Sequence, residues 1–134
     1  MDFTIYHKPS DVSTLTLTKA SATVFEKGDM VALDTGLAVK GVAASTALGY
    51  VIADAIDWET TVLAYSDSRI VLSGTADENF AVTDKGAEVD LVGTTTLLID
   101  LWESATNVFK VMPSDNAGTA SATTNVLVKI NKTL

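Results

Sequence analysis

Residues 23–54 read TVFEKGDMVALDTGLAVKGVAASTALGYVIAD, and the fold class turns on how this stretch is read. It holds three short apolar runs, at 30–33, 37–39 and 50–53. Lys27-Gly28-Asp29, Asp34-Thr35-Gly36 and a Gly/Ala/Ser/Thr link over 41–49 punctuate them. Each run is too short for a helix and carries β-favouring residues, so each predicts a strand. Asp34-Thr35-Gly36 has the spacing of a hairpin with its glycine in the left-handed region. The stretch therefore predicts a β-meander opening a small barrel or sandwich. It does not form a phosphate cradle, because no GK[ST] follows Gly36, Gly41 or Gly49 and no helix opens after them.

Outward from that centre the same grammar continues. Residues 15–18 (LTLT) alternate cleanly and predict a half-buried strand. Residues 61–65 and 69–72 predict a tight hairpin turned by Ser66-Asp67-Ser68, and 74–79 a breaker with one helical turn, Thr75 capping and Glu78 at its third position. Short strands are expected at 80–82 and 88–92. The longest hairpin is expected from 95–102 and 108–112, turned by residues 104–107. Residues 113–123 read as a small-residue loop and 125–130 as the closing strand. No window keeps a helical period over three turns. The expected class is all-β with at most one short helix: a small β-barrel or β-tulip-like domain built from consecutive hairpins, with an N-terminal arm at 1–13 and one β domain at 14–134.

One internal echo stands out. Val24-x-Glu26-Lys27-Gly28-x-x-Val31-x-Leu33 recurs as Val82-x-Asp84-Lys85-Gly86-x-x-Val89-x-Leu91. In both, a glycine takes a conformation other residues resist, and a strand with alternate inward residues follows. Two readings fit, a duplicated half-barrel or two independent turns of a common type, and the sequence alone favours the second.

Composition narrows function. The chain is 47% apolar and 19% charged over 134 residues, enough for one globular core. A net charge of −8 disfavours nucleic acid and anionic membrane as partners, and no run approaches a membrane span. No basic segment followed by an apolar run opens the chain, which suggests synthesis and retention in a cytoplasm. Cysteine is absent and His7 is the sole histidine, so the usual zinc ligand sets are missing. Asp54, Asp57 and Glu59 lack the glycine and bidentate glutamate of a calcium loop and read as a solvated acidic turn. The many hydroxyls have no visible activating base. The expectation is no enzyme, no catalytic residue, no metal and no cofactor. Trp58 and Trp102 are expected in the core or at a subunit interface. Thr83-Asp84-Lys85 resembles the lysine turn of lipoyl and biotinyl carrier domains. Its distance from Lys27-Gly28-Asp29 is far too long for the strands that normally join such turns, and Gly86 stands where alanine is usual.

K-G-D-M-V-A-L-D, the short hairpin, the small-residue link and G-Y-V-I-A-D together resemble the head decoration, or cement, proteins of tailed bacteriophages. The closing run from Phe109 to Lys132 resembles the C-terminal end of the same group. Residues 30–72 are similar in layout to the decoration protein of phage lambda, from which the segment 95–112 departs. The resemblance implies a structural protein of the virion, made in the host cytoplasm. It would sit as a homotrimer on the outside of the expanded major capsid protein shell, bridging capsomers against internal DNA pressure. Asp2, Phe3, Thr4, Ile5 and Tyr6 are the expected capsid contact, on the view that Pro9 separates these apolar residues from the core. The alternative is that they form a terminal strand of the chain's own barrel. The rival functions are a phage fibre or adhesin module binding carbohydrate and, behind it, a carrier domain modified at Lys85.

Overall fold

A computed structural model describes residues 2–93, 96–113 and 125–134. The small-residue loop expected at 113–123 falls, but for Pro113, outside the described residues. Among the described residues eleven strands run in chain order: β1 (Phe3–His7), β2 (Leu15–Thr18), β3 (Met30–Asp34), β4 (Leu37–Lys40), β5 (Gly49–Val51), β6 (Thr61–Tyr65), β7 (Val71–Thr75), β8 (Glu88–Val92), β9 (Leu98–Asp100), β10 (Phe109–Val111) and β11 (Asn125–Ile130). One 3₁₀ turn, Val82–Asp84, is the only helical element among the described residues. The fold is nearly all-β, in two antiparallel sheets that do not form a closed barrel. The smaller sheet has the order β2-β6-β5-β3-β4 and the larger β1-β7-β11-β10-β8-β9.

These two orders are the same order. Setting β1 aside, β2 to β6 of the smaller sheet correspond in sequence to β7 to β11 of the larger, strand for strand. The registers correspond as well. Leu17 opposite Val62 matches Gly74 opposite Val126, and Leu33 opposite Ala38 matches Leu91 opposite Ile99. Val31 opposite Gly49 matches Val89 opposite Phe109, and Val51 opposite Ala64 matches Val111 opposite Val128. Each five-stranded set rolls until the ends of its first and last strands meet at a single parallel bridge, Lys19 to Ala38 in one and Ala76 to Ile99 in the other. The bonds Ala20 N–H to Ala38 O and Asp77 N–H to Ile99 O, both 3.0 Å, fasten those seams. The chain is a tandem of two topologically identical five-stranded units. The internal echo was the visible end of that duplication.

The glycine turns carry the equivalence to single bonds. Gly28 and Gly86 both have positive φ, 95° and 78°, which L-residues resist. Gly28 donates to Val51 O and Val51 to Asp29 O, while Gly86 donates to Val111 O and Val111 to Ala87 O. Thr35 and Gly36, at φ 49° and 85°, make a two-residue loop between paired Asp34 and Leu37. That is the twist-matched hairpin turn, one residue shorter than the spacing suggested.

Three expected pairings are corrected. Residues 30–53 are not a meander, because β3 lies between β4 and β5. Ser66-Asp67-Ser68 does not turn a hairpin: β6 and β7 belong to different sheets, and this segment joins the two units. The strands near 95–112 also do not pair with each other, since β9 and β10 flank β8 on opposite sides. Asp90 is the reason. Its buried carboxylate accepts the amides of Ala105, Thr106 and Asn107 at 2.7–2.9 Å, so residues 104–107 cross β8 instead of turning back. Residues 74–75 close β7 where a breaker with one helical turn was expected over 74–79, and the 3₁₀ turn at Val82–Asp84 follows where a strand was expected at 80–82.

A main core joins the units: Met30, Leu48 and Tyr50 of the first pack with Leu72, Val89, Phe109 and Ile130 of the second. A smaller cluster, with Phe25, Val31, Val51 and Val62, fills the first unit. β1 belongs to this core. It pairs antiparallel with β7, Phe3 is 1% exposed, and its ring stands 5.5 Å from that of Phe109. Gly74, directly opposite, makes room, since a Cβ there would come within 2.6 Å of Phe3 Cδ1. Gly74→Ala should cost about 2 kcal/mol by forcing the ring aside. In a Phe3→Ala background the same change should cost little, and a urea-denaturation double-mutant cycle reads the coupling.

Candidate interaction surface

The residues expected to meet a partner do not form a free arm. Phe3 is core and Ile5 packs against it, while Thr4 and Tyr6 point outward, Tyr6 being 59% exposed. Pro9 therefore does not separate this segment from the core. The Phe3 amide is also taken, by Gly28 O at 3.1 Å. Asp2 is half-buried at the start of the strand. His7 ends β1, exposed, beside an open depression of about 630 Å³ lined also by Tyr6, Arg69 and Lys129. Arg69 is held by Asp67 and by both oxygens of Asp11, at 2.8–3.0 Å. Its guanidinium keeps Asp67 at about 2 and Asp11 below the ordinary carboxylate value. This fork pins the segment between the units.

The two tryptophans lie outside the core. Trp58 is 78% exposed and Trp102 70%. Trp58 stands on the rim of a depression of about 460 Å³ whose floor includes Ala55, Val62 and Leu63. The bridge between Phe25 and Ala55 sets Val24 beside Ile56, and both are exposed on the same flank. The acidic residues around Trp58 act on the backbone. Asp54 accepts the Lys27 amide and Glu59 the Ile56 amide, both at 2.8 Å, which shapes the loop that lifts Trp58. Beneath it, buried Lys19 donates its ammonium to Thr23 O and Ile56 O, clamping the two sides of that bridge. Exposed aromatic residues on a fixed frame are the common anchors of protein interfaces. Sequence reading found Trp58 but could not tell core from surface.

Lys85 directly follows the 3₁₀ turn on the way into β8 and is not at the tip of a hairpin. Among the described residues, no three His, Cys, Asp or Glu side chains gather as metal ligands. No helix among the described residues is long and apolar enough to cross a membrane. No protein-family model matches the chain, and no curated protein is significantly similar to it.

Two buried carboxylates hold the frame. Burial pushes both Asp29 and Asp90 upward, but bonds outweigh it and leave both below the usual 3.8. For Asp29 these are the Glu26 amide and the Lys40 ammonium; for Asp90, the amides of residues 105–107. Groups that ionise more easily folded than unfolded favour the fold above the unfolded value and lose that contribution as pH falls through and below it. Stability should therefore decline below about pH 4. Asp90→Ala should remove about 3 kcal/mol at neutral pH, by leaving buried amides without an acceptor. It should also flatten the acid limb of a Tm-against-pH curve.

Proposed function

We propose that this chain is a structural virion protein that binds the outside of an expanded capsid shell and stabilises it by bridging capsomers. The observation that carries the reading is the resemblance of residues 27–34 and 49–54 to phage cement proteins. These residues form β3, the first glycine turn and β5, the centre of the first unit. The acidic, cysteine-free composition and the rigid all-β frame suit a protein whose work is contact and not chemistry. The major capsid protein is the proposed partner and a homotrimer the proposed assembly. Trp58 and Tyr6 are the proposed anchors, because both offer large apolar area at no cost to the core. Many such weak contacts on one shell sum through avidity.

The test is co-sedimentation with shells of the source phage stripped of this protein, in compact and expanded forms. Saturable binding to expanded shells alone is expected. Deleting residues 2–6 is a poor probe because it removes Phe3 from the core, so surface changes are used instead. Trp58→Ala and Tyr6→Ala should each weaken binding at least about tenfold, the effect of an interface anchor worth 1.4 kcal/mol or more, with Tm unchanged. No binding to either form would remove the cement reading.

A further inference from the structure

The duplication leaves β1 without a counterpart among the described residues. In the second unit, the outer edge of β7 is covered by β1, with Thr4 opposite Ser73 and Phe3 opposite Gly74. The same edge in the first unit belongs to β2, and β2 pairs only with β6 among the described residues. The pairing fixes which groups are left over. Lys19 N–H bonds Thr60 O, so Leu15, Leu17 and Lys19 direct their backbone groups at β6. Thr14, Thr16 and Thr18 direct theirs outward, and all three residues are exposed. The edge closes at the Thr18 carbonyl, where the parallel bridge of Lys19 with Ala38 begins and Ala20 N–H bonds Ala38 O. What remains open is a short antiparallel acceptor, the counterpart of the one β1 fills.

β1 of another molecule is not the right occupant. Its Phe3 needs glycine opposite, and the first unit has Leu17 where the second has Gly74. The strand's own sequence fits better. Residues 14–18 read Thr-Leu-Thr-Leu-Thr, a palindrome without charge or proline. An antiparallel strand centred on Thr16 sets Thr14 opposite Thr18, Leu15 opposite Leu17 and Thr16 opposite itself. The outward groups of Thr16 then meet those of its own copy and the Thr18 amide meets Thr14 O, and every cross-strand pair is Thr–Thr or Leu–Leu, combinations that stabilise sheets. The stretch also lacks the lysine, proline or bulge that usually blocks such an edge. We propose that β2 is a self-association site, at which two copies of this chain join edge to edge about a two-fold axis through Thr16, merging their smaller sheets.

Such an interface is short and weak, below about 1,200 Å² of total buried surface, so it is sought from about 10 µM to 1 mM protein. Sedimentation equilibrium should show a monomer–dimer equilibrium of whatever unit the chain forms, with concentration-dependent NMR shifts at the Thr14, Thr16 and Thr18 amides. Thr16→Pro removes an outward amide that bonds no described residue, so it should keep the fold and abolish this step. Thr16→Lys and Thr16→Glu provide a second check independent of proline. Each alone should lose the association, and mixing them should restore it, because position 16 faces its own copy. A fixed assembly unaffected by these three variants, a monomer throughout the range, or mixed variants that fail to associate would overturn the proposal. The readout uses the free protein, so failure of shell binding leaves it untouched. A trimer insensitive to Thr16 substitution would remove this inference and keep the trimer.

Discussion

The amide–carbonyl clasp beside each positive-φ glycine is the constraint on which the remainder of the fold rests. Gly28 donates to Val51 O and Val51 returns a bond to Asp29 O, as Gly86, Val111 and Ala87 do, which locks the turn before β3 or β8 to the strand on its far side. A sheet has a side-chain period of two, so a one-residue slip would turn every inward residue outward. The clasp sets the register of the central strand, and the strands on either side inherit it. Glycine is required because the backbone reaches across at φ near +80° to +95°. The following Asp29 N–H to Glu26 O bond, matched by Ala87 to Asp84, completes the same turn twice.

Given that constraint, the two units diverge wherever packing asks something different of them. In the first, Met30 and Tyr50 sit opposite each other and are buried against the second unit. The equivalent pair in the second is Glu88 and Lys110, both exposed. Tyr65 of the first unit corresponds in the same way to Lys129. One face thus reads apolar in the unit where it is covered and charged in the unit where it meets water. A two-fold arrangement would have buried the same face in both, so the units are stacked head to tail. The C-terminus secures the stack: Leu48 donates to Lys132 O, and Ser66 Oγ links Leu48 O to the Leu134 amide.

Much of this was legible in the sequence, and the rest was hidden for identifiable reasons. The all-β class and most strand positions follow from short alternating runs between turn residues. The duplication showed only at its glycine turns, where backbone conformation dictates residue type. Elsewhere the counterparts are chemically unlike, as with Leu17 and Gly74, Ala38 and Ile99, or Met30 and Glu88. The pairing errors share one cause. Adjacent runs were read as hairpins, yet Ser66-Asp67-Ser68 joins units, and residues 104–107 are drawn across β8 by Asp90, whose side chain pairs with amides no sequence pattern marks. Trp58 was visible as a residue but not as surface, since exposure depends on what the rest of the fold covers.

The position of β1 follows from the same comparison. A rolled five-stranded unit fastens its seam at one bridge only, which leaves the leading part of its first strand uncovered. In the second unit the chain covers that stretch with its own N-terminal segment, and Gly74 opposite Phe3 is shaped to receive it. In the first unit Leu17 is half-buried against the unit's interior cluster in place of that glycine, so the interior is served without a sixth strand. The backbone is not: a leucine side chain supplies apolar contact but no hydrogen bonds. Solvent can satisfy those groups, as on any sheet edge, and so can a strand. The difference between the two units is therefore a difference in what their edges can still bind, built from one substitution at one register position.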